Sequence, residues 1–373
     1  MRRADLISDI ETSANVGNTY RNLLVRAMTT GLKRYATAHP WPHYRDRRTI
    51  QTLEDYTTGT VDVTNGSTTV TGTGTAFTAG MAGRKFRVAN EQAFYDVASF
   101  DSTTQLTLTQ AYQGDTDSDL SYAVFQDEYK LDNDVYRLLN LRQTEDGILM
   151  VALSYLEHDR WFPSQENYDD PLWYSVIGRR ADRYTTGTIS GTAGESTITG
   201  SSTAWTTPQG ISKGTRLAIH DTNEVLTVKS VDSATQITVY EAITTTFTDS
   251  DYTLFLNNLI VQLSDVPDEQ RNLYYRCHRL PEPFVNDYDE PDMPGEHHYL
   301  LVWYGLSVLH GLLGNLQRAQ DAERKFLTEL SEQWSQLAST TPSLIMVKES
   351  MDWANYPGVG ALRYPSHYGS LLP

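Results

Sequence analysis

The chain has 373 residues, a formal net charge of −17, one cysteine, and 39% hydrophobic and 11% aromatic residues. That length buries a large core in several compact units; the acidic balance excludes wrapping of DNA, and the lone Cys277 excludes an intrachain disulfide framework and cysteine-rich zinc modules. With no apolar run near the ~18 residues of a membrane span, and no apolar stretch behind Arg2 and Arg3 to make a signal peptide, the expectation is a chain made in a cytoplasm with no membrane contact.

Residues 1–48 reverse the charge trend, with nine Arg and Lys against four acids, net +5. They read either as the solvated face of a first helix or as a basic end, led by Arg2 and Arg3, that docks on an acidic partner. Asn18-Thr19 is placed to cap a helix running to about Ala38, with Leu23, Ala27, Met28, Leu32 and Tyr35 on one face. His39-Pro40-Trp41-Pro42 stops it.

From residue 57 the composition turns to Thr, Val, Gly and aromatics, and the stretch is repeated further on. Thr57-Thr58-Gly59-Thr60 recurs as Thr185-Thr186-Gly187-Thr188, and Ser67 to Gly72 matches Glu195 to Gly200, an offset of 128. Ala76-Phe77 matches Ala204-Trp205. The offset then becomes 131, where Asp101 to Thr107 aligns with Asp232 to Thr238; finally Ser121-Tyr122 meets Asp251-Tyr252, at an offset of 130. The three extra residues are assigned to a turn around Thr206 to Gly210. Five matches in order describe a duplicated domain. Alternation over Thr68 to Thr71, Phe94 to Val97, Gln105 to Leu108 and Leu226 to Val228, with the Asn65-Gly66 hairpin signal, predicts about six strands per copy in a sandwich or barrel.

Outside the repeats, Trp173 to Gly178, Leu259 to Leu263 and Tyr274 to Leu280 read as strands, so each repeat is expected to grow from a hairpin of the remaining frame. Pro294 suits a helix N1 position before a helix through Tyr299, Trp303, Leu306, Leu309 and Leu313. Gly314-Asn315 breaks it, and Ala319, Ala322, Phe326, Leu330, Trp334 and Leu337 mark a second, completing an αα-hairpin. After Ser339 a Pro/Gly/aromatic tail with Trp353, Tyr356, Tyr364 and Tyr368 lacks the means to make its own core, and reads as an interface segment.

The expected fold is therefore α+β: a helical frame (N-terminal helix plus C-terminal αα-hairpin) with a small β element, interrupted by two homologous all-β insertions. The boundaries are 1–56, 127–184 and 257–338 for the frame, 57–126 and 185–256 for the insertions, and 339–373 for the tail.

Residues able to carry chemistry are few. Asp287, Asp289, Asp292, Glu296, His297 and His298 form a dense set of possible metal ligands, but their spacing fits neither an EF-hand nor a zincin, and a polar loop with an acid in a first helical turn accounts for them. His158-Asp159-Arg160 reads as a charged helix edge. Glu54-Asp55 and Asp169-Asp170 are adjacent acids that cannot face each other across a substrate. Cys277 and His278 occupy opposite faces of a strand. No phosphate-cradling loop or nucleophile elbow is present. The expectation is a protein with no catalytic, metal or cofactor site.

Tyr274-Tyr275-Arg276, then Leu280-Pro281, the Asp287 to Pro294 lead-in, and the hairpin with "MPGEHHYLLVWYGL" and "AQDAERKF" resemble the head–tail adaptor (connector) proteins of tailed bacteriophages. The N-terminal stretch Leu6 to Ala38 fits the same plan, and "GSTTVTGTGTAF" is similar to small β-modules of phage structural proteins. The resemblance covers about half the chain. It implies a homo-oligomeric ring, usually of twelve copies, in the neck of a virion. Such a ring sits against the portal protein and the tail or nozzle proteins, and DNA passes through it without sequence-specific binding. An acidic channel wall would let phosphates slide. The competing readings are another tail or neck component, fibre-linked or receptor-binding, whose β-modules do the work, and a carbohydrate-binding surface protein.

Overall fold

The computed structural model describes residues 1–143, 147–162, 171–205, 210–267 and 269–340. The fold is α+β. In chain order its elements are α1 (Arg3–Ala14), α2 (Arg21–Ala38), β1 (Arg45–Gln51), β2 (Thr60–Val63), β3 (Thr69–Thr73), β4 (Lys85–Val88), β5 (Tyr95–Ser102), β6 (Gln105–Leu108), β7 (Asp117–Leu120) and β8 (Tyr122–Phe125). There follow β9 (Glu128–Lys130), β10 (Val135–Arg142), β11 (Val151–Leu153), α3 (Tyr155–Trp161), β12 (Trp173–Tyr184), β13 (Thr188–Gly191), β14 (Thr197–Ser201) and β15 (Arg216–Ile219). The remainder is β16 (Val225–Ser233), β17 (Gln236–Val239), β18 (Phe247–Ser250), β19 (Tyr252–Leu263), β20 (Asn272–Arg279), α4 (Tyr299–Leu312) and α5 (Leu316–Thr340).

The first and last described parts of the chain pack together as helices. The Arg2–Asp5 capping box starts α1, and Asn15, left-handed at φ 53°, ends it. A 3-10 turn over Asn18–Tyr20 then delays α2 to Arg21, two residues later than a cap at Asn18-Thr19 would set. Pro294 likewise precedes a 3-10 turn, Gly295–His297, and α4 begins only at Tyr299. Gly314, at φ +77°, separates α4 from α5. Two glycines set how closely α4 approaches its neighbours. A Cβ on Gly305 would lie 2.4 Å from Ile10 of α1, and one on Gly31 of α2 2.7 Å from Tyr304. The apolar face of α4 differs from the expected stripe. Leu300, Leu301 and Val302 are buried while Tyr299 is half exposed, because a helix apolar almost all round has no stripe from which to choose. On α2, Leu24 rather than Leu23 is fully buried, whereas Ala322, Phe326 and Leu330 of α5 enter the core as the spacing predicts.

The Thr-rich regions each form seven strands, one more than the alternation suggested, because β7 exposes nearly all of its side chains and β18 buries only its two end residues, so neither carries an alternating apolar pattern. The first region has the order β7-β2-β3-β6-β5-β4-β8, and the second β18-β13-β14-β17-β16-β15-β19, the same order position for position. Their cores correspond as well. Val61, Val70, Phe77, Phe86, Val97, Leu106 and Tyr122 stand where Ile189, Ile198, Trp205, Leu217, Val228, Ile237 and Tyr252 stand. β5 and β16 carry register shifts at equivalent places, Val97/Ser99 with Phe100/Ser102 and Val228/Ser230 with Val231/Ser233. Such bulges bend a sheet over its own core.

Between the helices and these regions lies a three-stranded antiparallel sheet, β1-β20-β10. Its buried side chains Ile50, Leu141, Leu273 and Tyr275 share a core with Tyr129, Tyr174, Val261 and Leu263. β12 and β19 pair over their whole lengths, from Tyr174↔Leu263 beside that core to Tyr184↔Leu254 inside the second region. One continuous hairpin therefore carries the second region. β9 adds to β19, and Tyr56 bridges to Val124, closing the first region where the chain leaves and returns.

Candidate functional site

The acids and histidines of residues 287–298 are drawn apart by separate partners. Asp287 takes Arg3 at 2.7 Å and Arg21 at 3.0 Å, and these hydrogen bonds hold its carboxyl below the usual range. Asp289 accepts from the backbone of Val285 and Asn286, shaping its own loop. Asp292 forms a two-bonded pair with Arg279 and accepts from the Glu282 backbone; burial pushes its carboxyl up, and these bonds outweigh it to leave the carboxyl low. His298 is held between the terminal amine of Met1 and the Met293 carbonyl. Among the described residues no group of three or more His, Cys, Asp or Glu is placed to hold a metal ion. The loop instead fastens α1 and α2 to β20 and α4.

Several basic residues of the N-terminal stretch are engaged in the same way. Arg2 pairs with Asp5 of its own turn, Arg3 and Arg21 with Asp287, and Arg34 with Glu323 of α5. Arg48, on β1, reaches Asp132 at 2.8 Å and both oxygens of Asp134, joining the three-stranded sheet to the chain before β10. Trp353, Tyr356, Tyr364 and Tyr368 lie outside the described residues, as do Asp169-Asp170 and the turn at 206–209.

His158 is the buried residue of α3, and burial drives its ring below the usual range, whereas Asp159 and Arg160 face solvent. The three do not converge. Ser154 caps that helix and Glu157 completes the box, so the segment is the helix edge its charges suggested. Glu54 is exposed, and its backbone carbonyl receives the Arg84 guanidinium. Cys277 is fully buried, and desolvation pushes its thiol up to about 12, far from a nucleophile's range. Its neighbour His278 is lowered to about 4 by burial, with Arg45 and Arg137 adding to the effect.

An aromatic cluster that the spacing of residues did not announce sits where the helices meet β1. Tyr35 stacks on Trp41 at 4.6 Å, His39 stacks flat on Trp334 at 5.0 Å, and Trp41 meets Trp334 edge-on. The Tyr35 hydroxyl shares a hydrogen bond of 2.5 Å with His297 Nδ1. Burial lowers His43 to about 4, with His297 contributing. The Pro40 and Pro42 punctuation was legible; that its flanking aromatics would find Trp334 depends on contacts some 290 positions apart.

A cleft of about 400 Å³ opens between β1, β9 and the second β-region, lined by Leu53, Tyr129, Trp205 and Val231 among others. Its charged side chains are engaged elsewhere: Lys130 pairs with Asp182 at 3.2 Å, and Asp232 accepts the hydroxyls of Ser230 and Thr238. The arrangement can bind and brace. No protein-family model matches the chain, and no curated protein matches it.

Proposed function

We propose that the chain is a virion structural protein, a subunit of the adaptor ring that joins the portal to the tail in a bacteriophage neck and continues the DNA channel. In this reading two copies of one β-domain are set into a helical frame as insertions, the frame makes the ring, and no chemistry is catalysed. The observation that carries it is the path of the frame. β20 bears Tyr274-Tyr275-Arg276, the loop pinned by Arg279–Asp292 turns the chain, and the α4/α5 hairpin closes on α1 and α2 from the far end of the sequence. The net charge of −17 suits a channel wall that passes phosphates without holding them. Twelve copies, a portal on one side and tail or nozzle proteins on the other are what the resemblance implies. The test is electron microscopy of the purified chain with and without portal complexes: rings seated on portals are expected, and a chain that ignores portals but binds cells or glycans would sink the reading.

A second reading, a neck or tail component whose β-regions do the binding, draws on one observation. Both regions present the same outward polar side chains, Thr69, Thr71, Gln105 and Thr107 in one and Thr197, Thr199, Gln236 and Thr238 in the other. A chain lacking residues 60–122 and 189–252 separates the two. Ring formation on portals without these residues favours the adaptor; its loss gives the β-regions the working role.

A further inference from the structure

We infer that the outer face of the three-stranded sheet β1-β20-β10 holds the phosphate backbone of duplex DNA. Ile50, Leu141, Leu273 and Tyr275 turn one face of this sheet to the core, and strand alternation puts the residues between them on the other. The register fixes which residues stand side by side there. Arg45, His278 and Arg137 make one row, and Arg47, Arg276 and Asn140 the next. Thr49, Tyr274 and Arg142 make a third. Five of these nine residues are arginines and none is an acid, on a chain of −17. Arg45, Arg47, Arg137 and Arg276 are exposed. On the opposite face of β1, Arg48 is taken by Asp132 and Asp134. Among the described residues no ion pair engages Arg45, Arg137, Arg142 or Arg276. Arg47 lies over the Tyr274 ring at 5.6 Å.

The make-up of the face selects the occupant. A protein partner is held by large anchors packed into a desolvated centre, and in these rows only Tyr274 is large and apolar, half-buried beneath Arg47. Tyr136 and Leu139, the extra residues of the β10 bulges, are exposed on an edge strand, at the margin of the face. Phosphate oxygens are met instead by guanidinium, hydroxyl and amide groups, and Arg, Thr, Asn and Tyr are what the rows carry. Rows ~7 Å apart on a sheet ~10 Å across face a duplex with one phosphate charge per ~1.7 Å of axis, so several phosphates come within reach together. The contact is one face and not a wrap, because the acidic surface elsewhere repels the duplex. The inference rests on the adaptor reading only for the source of the DNA. In that reading the sheet is a local hold on a wall that otherwise repels.

The experiment is fluorescence anisotropy of a labelled duplex of ~30 bp titrated with the full chain, from ~25 to ~200 mM salt. Variants are made at Arg45, Arg137 and Arg276, the rows farthest from the end of β10, since Glu145 and Asp146 follow that end outside the described residues. The wild type is expected to bind duplexes of unrelated sequence alike, with log affinity falling against log salt at a slope of about −4, or −0.9 for each phosphate neutralised. Arg276→Ala should weaken binding ~5-fold and the double variant Arg45→Ala/Arg137→Ala at least ~10-fold, each arginine removed flattening the slope by about one. Melting temperatures should not move, since these side chains are exposed. Arg318→Ala/Arg324→Ala, in exposed positions on α5, should leave binding as it is. No binding at the lowest salt overturns the inference, as does an equal loss from the α5 variant. Polyglutamate that displaces the duplex from the same arginines at equal charge assigns the face to an acidic protein and overturns it too. Rings seated on portals by a chain that binds no DNA leave the adaptor reading standing without this face. Binding through these arginines by a chain that forms no ring supports the face and removes the adaptor reading.

Discussion

The two β-regions share a strand order and a core pattern but hold to the rest of the molecule by different chemistry. In the first, Lys85 at the start of β4 is buried against Asp127 at 2.8 Å, with Glu128 at 3.4 Å, and Arg84 beside it donates to the carbonyls of Glu54 and Val124. In the second, the equivalent positions are Thr215 and Arg216, and the acids become Asn257 and Asn258. Asn133 there donates to Thr215 and accepts from the Asn257 backbone, while Asn258 donates to the carbonyls of Leu131 and Gly210 at 2.7 and 2.8 Å. An ion pair needs one good partner and is costly to break, whereas amides spread the same task over several neutral bonds. The cores diverge in a matched way too. Val63 and Asp117 in the first region correspond to Gly191 and Phe247 in the second, and the Phe247 ring occupies the space a side chain on Gly191 would need, 2.7 Å from its Cβ position.

The largest test of that contrast is at the anchors. Lys85→Ala strands the buried Asp127 carboxylate and should cost ~3–5 kcal/mol. Asn258→Ala should cost only ~1–2 kcal/mol, because it removes neutral bonds. Chemical denaturation followed by hydrogen exchange would locate each loss, and equal costs would break the comparison. Next is the core swap. Gly191→Val should cost ~1–3 kcal/mol by overpacking against Phe247 and Ile243. Combined with Phe247→Ala it should cost less than the sum of the two changes, a coupling of at least ~0.5 kcal/mol in a double-mutant cycle; strict additivity would mean the two positions did not compensate each other.

A smaller effect separates the equivalent tyrosines. Tyr122 and Tyr252 each donate to a backbone carbonyl, of Thr58 and Thr186, at 2.7 Å, but Tyr252 also accepts from the Trp205 indole at 3.0 Å. Tyr122→Phe should cost ~1 kcal/mol and Tyr252→Phe ~1 kcal/mol more, since the buried indole loses its acceptor. Equal melting temperatures for the two variants would refute this. A further shift is with pH, and it should spare the β-regions, which hold one histidine between them, His220. His43 is lowered to about 4 in the folded chain, so the unfolded chain binds the proton first as pH falls. Stability from this group is complete above its unfolded value of ~6.5 and declines as pH drops toward 4. Calorimetry should show the melting temperature falling by a few degrees (~2–4 °C) over that window in the wild type and less in His43→Phe; identical pH profiles would remove His43 from the account.

How far the sequence could be read depended on whether the signal was local. The duplication, the hairpin at Asn65-Gly66 and the strands at Gln105–Leu108 and Trp173 onward were legible because alternation and turn chemistry act over a few residues. β7 and β18 were not, since neither buries alternate positions and so neither shows a period. The candidate metal ligands illustrate the same limit: their density in the sequence is plain, but Arg3 and Arg21, some 270 to 280 positions away, take Asp287, while Arg279 takes Asp292.

What the sequence by itself determined is composition and pattern: an α+β chain, acidic, with one domain written twice and helices at both ends. Tertiary structure alone decided which face of α4 is buried, and whether the acids of residues 287–298 meet one another or meet arginines. Those outcomes turn on which distant surfaces come together, and burial and charge pairing are settled between surfaces, not along the chain.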